Sequence, residues 1–209
     1  MTATGRGHMN REVAAAVILA VVTILTAWSA FQATKWGGVM AIRFSEANAA
    51  QTQATQASAR ANAKQAVDVG LFVEYAAARS AGDDELASFL EERFRDEFRP
   101  AFDAWLAQQP LRNPDAPATP FVMDEYVIAE QVDVEEATAT AYERTQLARA
   151  ANQYGDNYVL TTVLFASVLF FAGVSTKFAT VRVQRGLLGI AVTLMVVGAA
   201  ILLSFPVEI

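Results

Sequence analysis

The chain has 209 residues, no cysteine and a single histidine, and 54% of its residues are hydrophobic, which is more than ordinary soluble domains carry. Without cysteine there is no disulfide, thiolate nucleophile or zinc–thiolate site. Because the histidine, His8, lies in the amino-terminal tail, histidine triads and ordinary histidine–metal sites are excluded too. Residues 36–156 include 10 basic and 20 acidic residues, a net charge of −10. Such a surface repels a phosphate backbone, so nucleic acid is not expected as a partner.

Three windows of the sequence carry no charged residue, and they run from Val13 to Thr34, Asn157 to Thr176 and Gly186 to Val207. Roughly 20 apolar residues in a helix span the hydrocarbon core of a bilayer. We therefore predict transmembrane helices at 13–35, 157–176 and 186–207 and a lipid bilayer as the environment of the chain.

The first window has a second interpretation, as a signal peptide cleaved near Ala27-Trp28-Ser29. An uninterrupted apolar run from Val13 to Leu25 suits a membrane anchor better, and residues 1–12 are then a short tail. The two later windows keep the protein in the membrane in either case.

The basic residues near the windows predict the orientation of the chain. One set is Arg6, Arg11, Lys177, Arg182 and Arg185, in the tail and in the short loop 177–185. The opposing set is Lys35, Arg43, Arg144 and Arg149. Basic residues in short segments favour the cytoplasmic side of a membrane. Because the first set lies in the shorter segments, we predict a cytoplasmic amino terminus and an extracytoplasmic region 36–156. The alanine-rich, acidic composition suggests a bacterium, and hence its inner (cell) membrane.

Small residues recur every four positions along the first span, at Thr26, Ala30, Thr34 and Gly38. This spacing lets a second helix approach closely in lipid, although alanine and threonine are also simply common here. After the span, Gly37-Gly38 is a hinge at which the helix kinks or ends.

Beyond the glycines, a stalk helix is predicted at 36–80, and a return helix at 126–156. Small residues at heptad-like spacing form a seam on each, and its members are Ala47, Ala50, Ala54, Ala57, Ala61, Ala137, Ala141 and Ala148. If the two helices pair antiparallel with Gly38 opposite Gly155, the residue numbers of facing positions sum to about 193. Arg60 then meets Asp133, Lys64 approaches Glu130, and Glu46 falls between Arg144 and Arg149. Opposite charges at all three places predict an antiparallel hairpin.

A polar stripe runs beside the alanine seam, through Gln51, Thr55, Ser58, Asn62 and Gln65. A polar helix face is usually solvated. The alternative is that this stripe lines a wide, weakly selective pore in a homo-oligomer.

A helical head is predicted at 81–125, between the two stalk helices. Large apolar residues at helical spacing begin at Leu86 and continue through Leu106, and they are predicted to make a compact helical head. Pro100 is expected to kink this helix near its middle. The proline-punctuated segment 110–120 is predicted to be a loop.

The first span ends in the element Trp28-Ser-Ala-Phe31-Gln32-Ala33, followed by a helix rich in alanine and glutamine and by two closing spans. In this plan the chain resembles uncharacterised bacterial three-span membrane proteins. The resemblance covers most of the chain in layout and only some ten residues in motif. It implies an all-α membrane protein and supplies no activity.

No pattern in the sequence indicates catalysis, a cofactor or a metal. The acidic runs Asp83-Asp84-Glu85 and Glu135-Glu136 are better explained by helix capping and a solvated face than by a cation site. We therefore expect a non-enzymatic, membrane-anchored interaction or scaffold protein that forms a homo-oligomer or holds another membrane protein. The alternative is the homo-oligomeric channel, which conductance in planar bilayers would reveal.

Overall fold

The computed structural model describes residues 3–110 and 112–209, with side chains from Glu12 onward. Its helices, in chain order, are α1 (Ala3–Ala81), α2 (Asp84–Glu91), α3 (Arg99–Ala107), α4 (Glu130–Ser175) and α5 (Val181–Ser204), with a short 3-10 turn at Pro120–Val122. No strand occurs in the described residues. The fold is all-helical, as the sequence predicts.

Three of these helices, α1, α4 and α5, are long and apolar enough to cross a membrane, with mean hydropathies of 2.3, 2.0 and 2.6 in their most apolar windows. Large apolar side chains on them remain uncovered, including Ile24, Phe170 and Leu203. Many exposed large apolar side chains on long apolar helices suit contact with lipid. The prediction of three helices that are long and apolar enough to span a membrane is confirmed.

The chain divides into two compact units. The first, here called the membrane unit, comprises Met1–Glu46 and Glu143–Ile209. The second, here called the head unit, comprises Ala47–Tyr142. Each is described by itself below.

In the membrane unit, α1 buries a face with alternating spacings of three and four residues. The buried members of this face are Ala15, Ile18, Val22, Ser29 and Gln32, and the core they join includes Tyr158, Phe165 and Val168. The small-residue face predicted for helix packing lies elsewhere on α1. Ala30, Thr34 and Gly38 are exposed and Thr26 is half-buried.

Helix α5 packs closely against α4 at Gly198, which is buried. A Cβ added there would lie 2.7 Å from Cε1 of Phe165 and 3.1 Å from Cδ2 of Leu164. The Phe165 ring is fully buried, so it has little room to move.

We expect Gly198→Ala to lower the thermal stability of the detergent-solubilised chain. Overpacking costs about 1–3 kcal/mol, which exceeds the gain in helix propensity of about 1 kcal/mol. Gly189→Ala on the same helix is the matched control, because an added Cβ there meets nothing within 4 Å. The two melting curves should separate, with Gly198→Ala the less stable, and coincident curves would contradict the close approach.

In the head unit, aromatic side chains from α1, α3 and the connecting segments form one core. Its buried members are Phe72, Tyr75, Ala78, Ala87, Leu90, Phe94, Phe98, Phe102 and Trp105. Their rings meet mostly edge to face, as between Tyr75 and Phe102 at 5.0 Å between centroids. This is the preferred geometry for aromatic pairs.

The helix ends differ from several of the sequence-based expectations. The alternative in which the first helix ends at the glycines is wrong, because α1 continues through Gly37 and Gly38. The kink expected at Pro100 is also wrong, because residues 92–98 leave the helical conformation and Pro100 is the second residue of α3. Proline lacks an amide hydrogen, and the first turn of a helix is where none is needed.

The ends of α1, α4 and α5 also differ from the predicted ones. Helix α1 begins at Ala3, inside the predicted tail, where no proline stops it. Helix α4 begins at Glu130 instead of residue 126, with Glu130 and Asp133 in its first turn, where acids favour a helix start. Helix α5 begins at Val181 and ends before Pro206, because a charge-free window marks the lipid-facing stretch and not the helix ends.

Candidate functional site

A buried ion pair organises the polar part of the head unit. The Asp68 side chain on α1 is 0% exposed, and the Arg95 side chain is 21% exposed. Arg95 donates from Nε to Asp68 Oδ1 at 2.9 Å and from Nη2 to Oδ2 at 2.7 Å. The Tyr126 hydroxyl donates to the same Oδ2 at 3.1 Å. The two Arg95 bonds form the bidentate geometry that is typical of a guanidinium and a carboxylate. Together with the Tyr126 bond, they hold the 92–98 segment and Tyr126 against α1.

The network continues to Lys64, which pairs with Glu130 at 2.5 Å and with Glu97 at 3.4 Å. Arg95 also pairs with Glu97. The hydrogen bond to Glu130 raises the pKa of Lys64, and the hydrogen bond from Lys64 lowers the pKa of Glu130. Hydrogen bonding to Asp68 raises the pKa of Arg95. The second oxygen of Glu130, Oε2, is buried and has no hydrogen-bond partner among the residues that the structure describes.

Burial, and then the Asp68 carboxylate, raise the pKa of Tyr126 to about 12. A free tyrosine has a pKa of about 10, so the folded head binds the phenol proton more tightly than the unfolded chain does. The stability that this proton contributes is complete below about pH 10 and is lost as the pH rises toward about 12.

We therefore expect Tyr126→Phe to show a smaller loss of head stability than the wild-type chain between about pH 9 and pH 11.5. The comparison with wild type is needed because Lys64 deprotonates over an overlapping range. Chemical unfolding of the full chain in detergent at the two pH values measures the difference, with the exposed Tyr142→Phe as control. An unchanged pH dependence in Tyr126→Phe would contradict the assignment.

The head unit also contains an open groove with a volume of about 440 Å³. The residues that line it are Tyr75, Ala76, Arg79, Ser80, Trp105, Leu106, Gln109, Pro110 and Arg112. Trp105 is fixed by a hydrogen bond from its Nε1 to the carbonyl oxygen of Pro117 at 2.8 Å and by an edge-to-face contact with Phe72. The groove therefore has a rigid aromatic wall.

Both charged residues that line the groove are arginines. Arg79 forms an ion pair with Asp84 at the start of α2. The side chain of Arg112 makes no ion pair or hydrogen bond with any residue that the structure describes. The head unit as a whole has 7 basic and 17 acidic residues, so this groove departs from the charge of its surroundings.

A second polar constellation lies in the membrane unit, where three side chains hold the segment 205–209. Gln32, which is fully buried, donates to the carbonyl oxygen of Glu208 and accepts from its amide, each at 3.0 Å. The Trp36 Nε1 and the Tyr158 hydroxyl both donate to the carbonyl oxygen of Pro206, at 3.1 and 3.0 Å. All four bonds go to the backbone.

We expect Gln32→Met to release this segment, because two hydrogen bonds and a buried amide are lost together, which costs about 1–3 kcal/mol. Hydrogen exchange of the full chain in detergent should be at least about tenfold faster at residues 205–209. Thr34→Val, on an exposed position of the same helix, should leave the exchange unchanged. Equal exchange in Gln32→Met and wild type would show that Gln32 does not hold the segment.

The residues of the predicted alanine seam are covered. Ala47, Ala50, Ala54, Ala57, Ala61, Ala141 and Ala148 are buried, and Ala137 is half-buried. The polar stripe is uncovered, since Gln51, Thr55, Asn62 and Gln65 are exposed and Ser58 is half-buried.

Of the three predicted charge pairs, two are ion pairs in the described residues and the third is not. Lys64 contacts Glu130 in the head unit. In the membrane unit, Glu46 lies 3.4 Å from Arg144. Arg60 and Asp133 line one shallow depression in the head unit, and no ion pair joins them in the described part of the chain.

The predicted glycine pairing is wrong in its register. A Cβ added to Gly155 would lie 3.7 Å from Trp36 Cβ and from the Ala33 carbonyl oxygen, whereas Gly38 has no neighbour within 4 Å. Gly38 lies on the exposed side of α1, so Trp36 takes the place opposite Gly155.

Asp68, Arg95 and the groove were not found from the sequence, although a signal for Asp68 was present. The alanine seam on α1 continues at the same spacing through Lys64 and Asp68 to Phe72 and Tyr75. Extending the pattern by two turns puts one acid and one base on a packed face, where a charge needs a partner.

Comparisons with known proteins identify no relative. The chain matches no protein-family model, and no curated protein or solved structure gives a significant match. The functional interpretation therefore rests on the residues described above.

Proposed function

We propose that this chain is a membrane-anchored helical interaction protein that self-associates or holds a partner through its head unit, without catalysis. The observation that supports the proposal is the arginine-lined aromatic groove. Tryptophan, tyrosine and arginine are the residues that most often dominate binding energy at protein interfaces. Trp105 is 7% exposed and held in place, so the part of it that lines the groove binds with little loss of side-chain entropy.

The test uses the absence of native cysteine, which makes any introduced thiol unique. A photo-crosslinker is attached to Ala76→Cys in the groove and, as matched control, to the adjacent Ala77→Cys, which is exposed and does not line the groove. The full chain is irradiated in native membranes and the adducts are identified by mass spectrometry. We expect protein adducts from Ala76→Cys in clear excess over Ala77→Cys. If neither position captures any protein, the interaction function is wrong.

We also propose that residues 36–80 and 126–156 pair as an antiparallel hairpin. The Lys64–Glu130 contact in the head unit and the Glu46–Arg144 contact in the membrane unit support this pairing. Exposed pairs of this kind contribute only about 0–1 kcal/mol, so they support a register and not the stability of the hairpin. A spin-label distance between positions 53 and 140 in the full chain tests it, since these positions line the same depression.

For orientation, we propose a cytoplasmic amino terminus and an extracytoplasmic head in a bacterial cell membrane. The support is the basic charge of the short segments, with Lys177 in the turn before α5 and Arg182 and Arg185 near the start of α5. A periplasmic reporter fused at Asp115, on the exposed loop of the head unit, should be active. Activity of a cytoplasmic reporter at the same site would reverse the assignment.

A further inference from the structure

The connection between α4 and α5 carries positive charge only. Residues 157–207 contain three charged side chains, all basic, and they are Lys177, Arg182 and Arg185. The segment 176–185 that contains them is here called the basic turn. All three side chains are exposed, and none forms an ion pair or a side-chain hydrogen bond with a residue that the structure describes. Their charge is therefore not neutralised within the described part of the chain.

The usual electrostatics of a helix start do not account for these cations. Acids are favoured in the first turn of a helix, but α5 has no acid there and carries Arg182 instead. Glu12, the acid that precedes the first apolar window, already has an interaction of its own. An anion from outside the chain would therefore meet an accessible surface of unneutralised positive charge.

The short connection keeps the basic turn at the membrane boundary when α4 and α5 cross a bilayer. Helix α4 ends at Ser175 and α5 begins at Val181. The Lys177 amide donates to the carbonyl oxygen of Val174 at 3.0 Å, which holds Lys177 against the end of α4. Arg185 lies four residues into α5, about 6 Å along the helix axis. Because the headgroup layer on each side of a bilayer is about 5–8 Å thick, all three cations lie within its depth.

Apolar side chains accompany the cations. Phe178 is 46% exposed, and Val181 and Val183 are 40% and 41% exposed. Basic side chains beside exposed apolar ones are typical of segments that lie in the membrane interface, where the apolar groups enter the acyl boundary and the cations meet the headgroups. The composition of the basic turn therefore suits contact with lipid headgroups.

The basic residues at the opposite ends of the apolar windows have a different environment. Arg43 and Arg144 share the carboxylate of Glu46, at 3.0 and 3.4 Å. Part of the positive charge at that boundary is therefore neutralised within the chain. This difference favours the basic turn as the place where an external anion binds.

We infer that the basic turn binds the headgroups of phospholipids that carry a net negative charge, such as phosphatidylglycerol. Guanidinium groups form bidentate hydrogen bonds with phosphate, and each basic residue near the surface is attracted to anionic lipid. A zwitterionic headgroup gains less, because its own cation competes for the phosphate. The inference goes beyond the proposed function, since it concerns the membrane unit and does not depend on the groove of the head unit.

The test places a dye at the basic turn. The chain has no cysteine, so Ala179→Cys, at an exposed position of the turn, supplies one thiol for a small neutral fluorophore. The full chain is reconstituted in phosphatidylcholine bilayers with increasing fractions of a lipid that carries a quenching nitroxide on its acyl chain. This lipid is phosphatidylglycerol in one series and phosphatidylcholine in the other. We expect half-quenching at a fraction of phosphatidylglycerol at least about fivefold lower.

Removing the charge of the basic turn should remove this preference. With Lys177→Gln, Arg182→Gln and Arg185→Gln together, the two half-quenching fractions should differ less than about twofold. Quenching by phosphatidylcholine should stay as in the labelled Ala179→Cys chain, which shows that the variant is still inserted. The labelled lipid is present in both leaflets, so the orientation of the chain does not affect the result.

The matched control removes three cations from the other boundary. Lys35→Gln, Arg43→Gln and Arg149→Gln together should leave the preference for phosphatidylglycerol at position 179 unchanged. Equal half-quenching fractions for the two lipids in the labelled Ala179→Cys chain would overturn the inference. So would a preference that survives the loss of the three charges of the basic turn, because another part of the molecule would then bind the lipid.

Discussion

Replacing Arg95 by methionine is expected to destabilise the head unit by about 3 kcal/mol or more, because it leaves the Asp68 carboxylate buried without its cation. Asp68 is 0% exposed, and of the described residues only Tyr126 then supplies its carboxylate with a hydrogen bond. Arg95 itself is partly exposed, so the loss comes from the unpaired carboxylate more than from the arginine's own packing. Local opening of the head should become at least about 100-fold more frequent, by the usual relation of free energy to an equilibrium constant.

Hydrogen exchange of the full chain in detergent measures this opening in peptides from α2 and α3. Arg99→Met is the matched control, because the Arg99 side chain is 41% exposed and its ion-pair partner Asp96 is fully exposed. A pair of that kind contributes about 0–1 kcal/mol. Similar exchange in the Arg95 and Arg99 variants would show that the Asp68 pair does not hold the head together.

A double substitution tests whether the charges of the Asp68–Arg95 pair or the volume of the two side chains stabilises the head unit. Asp68→Leu with Arg95→Met removes both charges, and replacing a buried ion pair by apolar groups is often neutral or stabilising. We therefore expect the double variant to recover a substantial part of the stability lost in Arg95→Met. A double variant less stable than Arg95→Met would mean that Asp68 contributes through other contacts.

The features predicted correctly from the sequence are those that depend on the spacing of residues within one segment. The alanine spacing from Ala47 to Ala61 predicts a packed face, and those residues are buried. The charge-free windows predict three membrane-spanning helices for the same reason, since length and hydropathy are properties of a single segment.

Features that depend on contacts between distant residues could not be read in this way. The Asp68–Arg95 pair joins residues 27 apart, and the Gln32–Glu208 bonds join residues 176 apart. Gln32 is a polar residue on an apolar helix, and only the position of the segment 205–209 explains its burial. The break at 92–98 has a similar cause, because burial of Phe94 and Phe98 and the Arg95–Asp68 bonds stabilise a non-helical path there.

Replacing Phe102 in the aromatic core by alanine is expected to destabilise the head unit strongly. Its side chain is 1% exposed, and its ring lies 4.7 Å from that of Phe94 and 5.0 Å from that of Tyr75, measured between centroids. Phe102→Ala removes a ring that touches α1 and the 92–98 segment together, and the surrounding rings are too rigid to fill the space. The expected cost is about 3–5 kcal/mol, which is a large part of the stability of a domain of this size.

This loss should be visible as loss of near-ultraviolet circular dichroism in the dilute, detergent-solubilised chain, because the ordered rings of the head unit produce that signal. Phe89→Ala is the matched control, since the Phe89 ring is half exposed and lies against Arg93 instead of the core. Its cost should stay below about 1 kcal/mol, as for exposed substitutions in general. If both variants keep the wild-type signal and melting temperature, the edge-to-face cluster does not support the head. If only Phe102→Ala loses them, the wall of the groove depends on this core, because Trp105 packs against the Phe102 ring at 6.2 Å.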